Sequence, residues 1–482
     1  MTFASPIAEA DDAAIDEAQQ HLALALVSYM SGHVTRTRVE AEAVLAEPGL
    51  PASLYAAAEQ SRLLAQLADG SMSTIAGAAA PSALLALAAL AWRDGNVDKT
   101  LELLRAEMST TPAGPAEGFY PGLGICTVYA ALGQFDAAQA FVSRAADQIS
   151  FGADPLWAAA PAMFAARVEL ASGQLDAANA AATAGVDIAD DLGTSVLAPI
   201  GHDVLVWVAL LRGDLDQATR AHGRWRTQAL TIRLPFGNPN RQWAELRMRA
   251  VRGAPILGTP ACDSAFDLVA SDHSLFLEQP AAAAWLARAA HHAGDHHRAN
   301  AIVTTAEHLA ATNPHYPTVT ATANHARGVI TGDPDRLAAA ADTHLSPWAR
   351  ASAAEDTAAV RSQRGDRSAA RSWLERAADG YRRCGADRDH ARTRARLRDI
   401  GVRSAHWSRQ QRPVYGWASL TDTERTVAGL VAEGLSNQAV ANRIFLSRHT
   451  VDFHLRHIYR KLGIDSRVVL TRMVVDNIAS AR

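Results

Sequence analysis

Lysine is almost missing from this chain. Of its 482 residues only Lys99 and Lys461 carry an ammonium, although Lys and Arg together number 46. Neither follows a Gly-x-x-x-x-Gly stretch, and a P-loop needs that lysine on the terminal phosphates, so no ATPase of that kind is expected. Cysteine is scarce too: Cys126, Cys262 and Cys384 stand far apart, with neither disulfide nor zinc spacing. A reducing, cytoplasmic compartment follows. No apolar run reaches the ~18 residues of a membrane span. Leu84 to Trp92 is too short and too alanine-rich, and is expected to be a buried helix. The acidic opening MTFASPIAEADDAAIDEA has no apolar core of a signal peptide.

Signs of catalysis are equally thin. There is no Gly-x-Ser-x-Gly elbow and no spaced carboxylate pair, so no catalytic residue and no cofactor is expected. The run His291-His292-Ala293-Gly294-Asp295-His296-His297 looks at first like a metal site. However, Gly294 falls between the histidines, where a turn would put them on different helices, whereas zinc histidines share one face. A solvated turn is the better reading, and no metal is expected.

What the chain has in quantity is alanine and a repeated turn. Hydrophobic residues make up 49% and aromatics only 6%, which suits closely packed helices rather than sheets. A signature close to Gly-x-x-x-x-Ala recurs, as in Gly133-Gln134-Phe135-Asp136-Ala137-Ala138 and Gly173-Gln174-Leu175-Asp176-Ala177-Ala178. It begins at Gly95 and returns at Gly213, Gly294, Gly332 and Gly365, with spacings of 38, 40, 40, 81, 38 and 33 residues. The 81-residue gap is two units, and Gly253 near its middle is a worn copy. Each glycine is expected to end one amphipathic helix shortly before another starts. One such hairpin cannot bury its apolar face, so hairpins stack. The units resemble tetratricopeptide repeats with a period nearer forty. Residues 81–400 are therefore expected to form an α-solenoid, and residues 1–80 further helices, clearest at His21–Met30 and Leu54–Leu67, that are degenerate or capping repeats.

Charge is divided unevenly. Residues 401–482 hold 12 Lys or Arg against 6 Asp or Glu, an excess of six, which leaves −10 for residues 1–400 of a chain whose net charge is −4. A basic tail on an acidic body fits nucleic-acid binding by the tail alone. Residues 401–417, with Pro413, Gly416, Trp407 and Trp417 and no helical period, are expected to be a linker.

Residues 418–482 carry three helix starts in sequence. Thr421 and Glu424 have capping-box spacing, and Ser436 and Ser447 are further N-cap candidates, with Gly434 suited to a left-handed helix end. Two short helices and a longer third is the helix-turn-helix plan. On the third, Val451, Leu455, Ile458 and Leu462 share an inward arc. The opposite arc carries His449, Phe453, Arg456 and Arg460, with Asp452 and His457 beside them. Arg reads guanine with two hydrogen bonds, and an apolar ring can meet a thymine methyl.

This segment resembles the DNA-binding domain of LuxR-type transcription regulators. The resemblance is carried by Leu420-Thr421, Glu424, Gly434, Ser436-Asn437, Ala441, Ser447, Thr450-Val451, His454, Lys461-Leu462-Gly463 and Ser466-Arg467. It implies four helices, the third in the major groove, with DNA contact at Ser447, Thr450, Lys461 and Arg467 besides the four arc residues. It also implies a homodimer on DNA and RNA polymerase as a partner. Two positions depart from the family pattern: Asp422-Thr423 replaces Pro-Arg, and Asp452 replaces a lysine. Asp452 cannot neutralise a phosphate, though it can accept from a cytosine amino group. In the family the fourth helix often makes a dimer contact, and Val468, Val469, Met473 and Val474 suit either that or the domain's own core.

Helical repeats joined to such a domain resemble the C-terminal half of the large ATP-binding LuxR regulators of the maltose-regulator type, without their ATPase. The expected protein is all-α: a tetratricopeptide-like solenoid followed by a four-helix LuxR-type domain. Its expected function is transcription regulation through double-stranded DNA, with the repeats sensing a small-molecule or protein effector. The alternative is a protein-interaction scaffold whose last helices serve assembly.

Overall fold

The computed structural model describes residues 12–71, 84–109, 121–151, 155–227, 234–237, 240–400, 420, 422–444, 448–464 and 466–480. Every regular element among them is helical. The chain divides into two compact units, Met1–Val402 and Arg403–Arg482. The expected linker lies outside the described residues.

The turn signature of the first unit has a single physical basis. All eight turn glycines, Gly253 included, hold φ between 62° and 84°. At Gly133, with φ of 74°, the left-handed turn lets the Gln134 N–H donate to Tyr129 O at 2.8 Å, five residues back. Asn96, Gln174, Asp214, Ala254, Asp295, Asp333 and Asp366 donate in the same way, each to the residue five before it. This is the Schellman closure of a helix end. The residue after the glycine frequently starts the next helix as well. Asp214 Oδ1 accepts from Gln217 N at 2.9 Å, Asp295 Oδ1 from Arg298 N at 3.0 Å and Asp366 Oδ1 from Ala369 N at 3.0 Å. Two adjacent residues thus stop one helix and cap the next.

The alanine five places on is where the two helices of a hairpin touch. Ala138, Ala178, Ala218 and Ala370 are all completely buried, and Ala299 is 1% exposed. A larger side chain there would force the helices apart, at about 1–3 kcal/mol for overpacking. Hairpins then stack through their first helices, as Pro121–Ala131 does on Ala160–Ser172 and Ala282–His292 on Pro317–Thr331. Before residue 80 three helices, Asp12–Met30, Val34–Ala46 and Ala52–Asp69, pack in turn. Val34–Ala46 is one of the further helices expected there without bounds, whereas the short helix His273–Glu278, which interrupts the repeat rhythm, was not expected.

Stacking is only part of the architecture, because the array also closes on itself. Asn313, wholly buried, donates to Gly95 O at 2.7 Å and accepts from Val97 N at 3.0 Å. Trp92 Nε1 donates to Glu278 Oε1 at 3.0 Å, and the Tyr316 hydroxyl to Asp98 Oδ1 at 2.6 Å. One apolar cluster accordingly runs from Tyr29 to Ala326. The same unit holds a cavity lined by polar and aromatic side chains from helices far apart in sequence.

The histidine run falls on both sides of the Gly294 turn. His291 and His292 end one helix while His296 and His297 open the next. Cys126, Cys262 and Cys384 are buried and free. Among the described residues no helix is long and apolar enough to cross a membrane.

Candidate nucleic-acid interface

The C-terminal unit is built by four helices, Asp422–Ala432, Asn437–Arg443, Arg448–Leu462 and Arg467–Ser480. Gly434, with φ of 89°, ends the first. Ser436 Oγ caps the second by accepting from Ala439 N at 3.2 Å. Gly463, with φ of 67°, ends the third, and the Ile464 N–H closes it on Tyr459 O at 3.0 Å. Thr421 and Ser447, the two other expected caps, lie outside the described residues.

Val427 and Ala428 of the first helix, Val440 of the second and Val451 and Ile458 of the third are completely buried in one core, with Leu455 at 5%. Leu462 packs against that core. The fourth helix divides: Leu470 and Val474 enter the core, while Val468 is 79% exposed and Val469 40%. Val474 thus belongs to the domain's own core, while Val468 and Val469, with Val475 at 56%, face outward.

The third helix is held from two directions. Near its start, Asp452 Oδ1 accepts from Asn437 Nδ2 at 2.6 Å, and Asn437 Oδ1 accepts from Arg467 Nη1 at 2.8 Å. Arg467 also donates to the carbonyl of Leu435. One chain of hydrogen bonds therefore joins the second, third and fourth helices. Near its end, Lys461 Nζ lies 2.6 Å from the buried carboxylate of Glu424 on the first helix. These charge-assisted bonds fix the pitch of the helix against its neighbours.

The expected DNA contacts consequently separate. Arg456 is exposed on the face away from the core, its Nε resting 3.3 Å from Asp452 O. Thr450 is half-buried on the same helix. His449, Phe453 and Arg460 are carried by this helix, and the description covers their backbone alone. Lys461 and Arg467 direct their charged ends onto protein groups. Asp452 is occupied by Asn437. Two cations the sequence reading passed over, Arg443 closing the second helix and Arg448 opening the third, are exposed. Their signal was simply charge outside the apolar arc.

Three helices around a capped turn, with the longest offering an arginine to solvent, define a helix-turn-helix module. Residues 418–474 match the family described as bacterial regulatory proteins, luxR family, and this part of the chain is a LuxR-family helix-turn-helix domain. A relative named as an HTH-type transcriptional regulator from Mycobacterium tuberculosis is 57% identical over 61 residues, which are 13% of this chain and 7% of that protein. The DNA-binding transcriptional activator DevR/DosR of Mycobacterium tuberculosis is 43% identical over 58 residues, 12% of this chain and 25% of that one. The nitrate/nitrite response regulator homologue of Haemophilus influenzae is 47% identical over 53 residues, 11% and 26% of the two chains. The chain thus spans a small part of the curated relatives it matches. Among solved structures, a Rap protein complexed with Competence and Sporulation Factor aligns with 80% of this chain and 98% of its own, at 12% identity and a TM-score of 0.42.

Proposed function

We propose that this protein is a sequence-specific DNA-binding transcription regulator whose helical repeats are its input side. The observation that carries the reading is the exposed Arg456, on the helix whose opposite face builds the core of a LuxR-family domain. In this reading Arg448–Leu462 enters the major groove. Arg456 and Phe453 meet base edges, and Ser447, His449, Thr450 and Arg460 flank them. Lys461 and Arg467 hold the helix at its working angle, and their remaining N–H donors face phosphate. Arg443 and Arg448 add phosphate contacts. The protein acts in the cytoplasm as a homodimer on DNA, joined through the outward valines of its last helix, and addresses RNA polymerase. No enzymatic step is assigned to it.

The test is selection of bound genomic fragments by the full chain, followed by titration of the selected site with Arg456→Ala. Loss of a two-pronged base contact is expected to cost roughly 1–3 kcal/mol on that site. Random DNA should lose much less. An unchanged affinity for the selected site would take Arg456 out of the groove.

A further inference from the structure

The repeat unit holds a cavity of about 610 Å³, within the range of small-molecule sites. Arg247 is part of its lining. Its guanidinium carbon lies 5.1 Å from the ring centre of Trp207, 5.3 Å from Trp243, 5.1 Å from Trp285 and 5.4 Å from Trp348. Indole faces attract a cation but accept none of its N–H bonds in the way an oxygen does. Arg247 is 6% exposed, makes no ion pair among the described residues, and its Nη1 has no hydrogen-bond partner. Burial pulls it down to about 9. A buried guanidinium nitrogen without an oxygen partner is a cost to the fold.

The rest of the lining tips the same way. Arg288, Arg388, Arg392 and Arg396 join Arg247 around the cavity, against the three carboxylates Glu355, Asp356 and Asp389. The carboxylates are already engaged. Glu355 accepts from Arg392, Arg396 and the Tyr381 hydroxyl, Asp356 from Arg288 and His325, and Asp389 from Arg392 and Trp348 Nε1. Arg388, half-buried, has no ion pair among the described residues. Two cations that no carboxylate pairs with directly, although Asp389 lies near enough to attract both, therefore share one cavity with the indoles of Trp285 and Trp348.

We propose that this cavity binds a small organic anion, its carboxylate or phosphate held by Arg247 and Arg388 and a flat apolar body lying against Trp285 and Trp348. The proposal deepens the input reading of the repeats by giving that input a place and a chemistry. A bound acid group supplies the oxygen acceptor that Arg247 Nη1 lacks in the free protein.

The full chain is titrated by calorimetry and thermal melting, at fixed ionic strength, with phthalate and phenyl phosphate. Dimethyl phthalate, phenol and inorganic phosphate are the comparisons. One of the two aromatic anions is expected to bind one to one and raise Tm, and which one does so separates a carboxylate site from a phosphate site. The neutral compounds and inorganic phosphate should bind at least about tenfold more weakly, the loss of one charged contact or of the stacked body. Arg247→Met should abolish binding yet melt no lower than the wild type, because the variant no longer buries an unsatisfied charge. Arg388→Gln should weaken binding about tenfold, and decides the matter if Arg247→Met fails to fold. The proposal is overturned if neither aromatic anion binds, if inorganic phosphate binds equally well, or if Arg388→Gln keeps full affinity. No DNA enters the assay, so failure here leaves the DNA-binding reading untouched, and failure of Arg456→Ala leaves this site untouched.

Discussion

Lys461 and Asp203 are single side chains whose surroundings set their behaviour. Lys461 neutralises the buried Glu424 carboxylate, so Lys461→Ala removes a bond to a charged group worth roughly 1.5–3 kcal/mol. Denaturation followed on the C-terminal helices should report that loss, and DNA affinity should fall by one factor on every sequence. A sequence-selective loss would instead make Lys461 a base reader. Asp203 is 3% exposed inside the repeat unit, 3.7 Å from Arg167 and with Oδ1 lacking any partner. Burial pushes its carboxyl up to about 7, with Arg167 pulling it down and Glu278 pushing it further up. The folded protein therefore holds this proton more tightly than the unfolded chain does. Its contribution to stability is complete below pH 3.8 and is lost as pH rises towards about 7. Asp203→Asn should flatten the decline of Tm between about pH 4 and 7; parallel declines in the two proteins would disprove it. Neither environment is visible in sequence. Asp452 is the clearest case: the spacing put it beside the reading arc, while its partner Asn437 stands 15 residues away on another helix.

At the scale of helices and turns the sequence was far more legible. Each joint closes between residues five apart, and each cap reaches three residues on, so the pattern that makes the turn is also the pattern that announces it. The apolar arc of Arg448–Leu462 was readable for the same reason, since helical periodicity is local. What a joint touches is not local. A Cβ on Gly95 would sit 2.1 Å from Leu309, whereas one on Gly365 meets nothing within 4 Å, although both have φ above 80°. Gly365→Ala should therefore cost only the left-handed strain, roughly 1–2 kcal/mol. Gly95→Ala should cost distinctly more, because the buried Leu309 must move. Thermal melts of the two variants give the order, and equal losses would mean that Leu309 yields freely.

On the scale of the whole chain, charge was readable and closure was not. The excess of six positive charges in residues 401–482 beside the −10 of residues 1–400 predicts that DNA binding weakens steeply with salt. The log–log slope should be about −0.9 per phosphate neutralised, measured by titration at several salt concentrations. A flat response would remove the electrostatic account. The interior of the repeat unit had no comparable signal. Trp207, Trp243, Trp285 and Trp348 come from four different helices and meet around Arg247 only in the folded array. Sequence periodicity gives the hairpins and their order, but not the curvature at which such an array shuts.

That closure turns the number of repeats into a fixed quantity. Every joint is sealed by its own residues, so a segment cut from one left-handed glycine to the next could be lost or duplicated and leave a sound turn at the seam. The Asn313 bridge spans 218 residues to Gly95, however, and the Trp92–Glu278 bond spans 186. One cassette more or fewer between those ends would carry Asn313 a whole hairpin away from the backbone groups it satisfies. The parts are interchangeable and their count is not, as with links in a bracelet that must meet its own clasp.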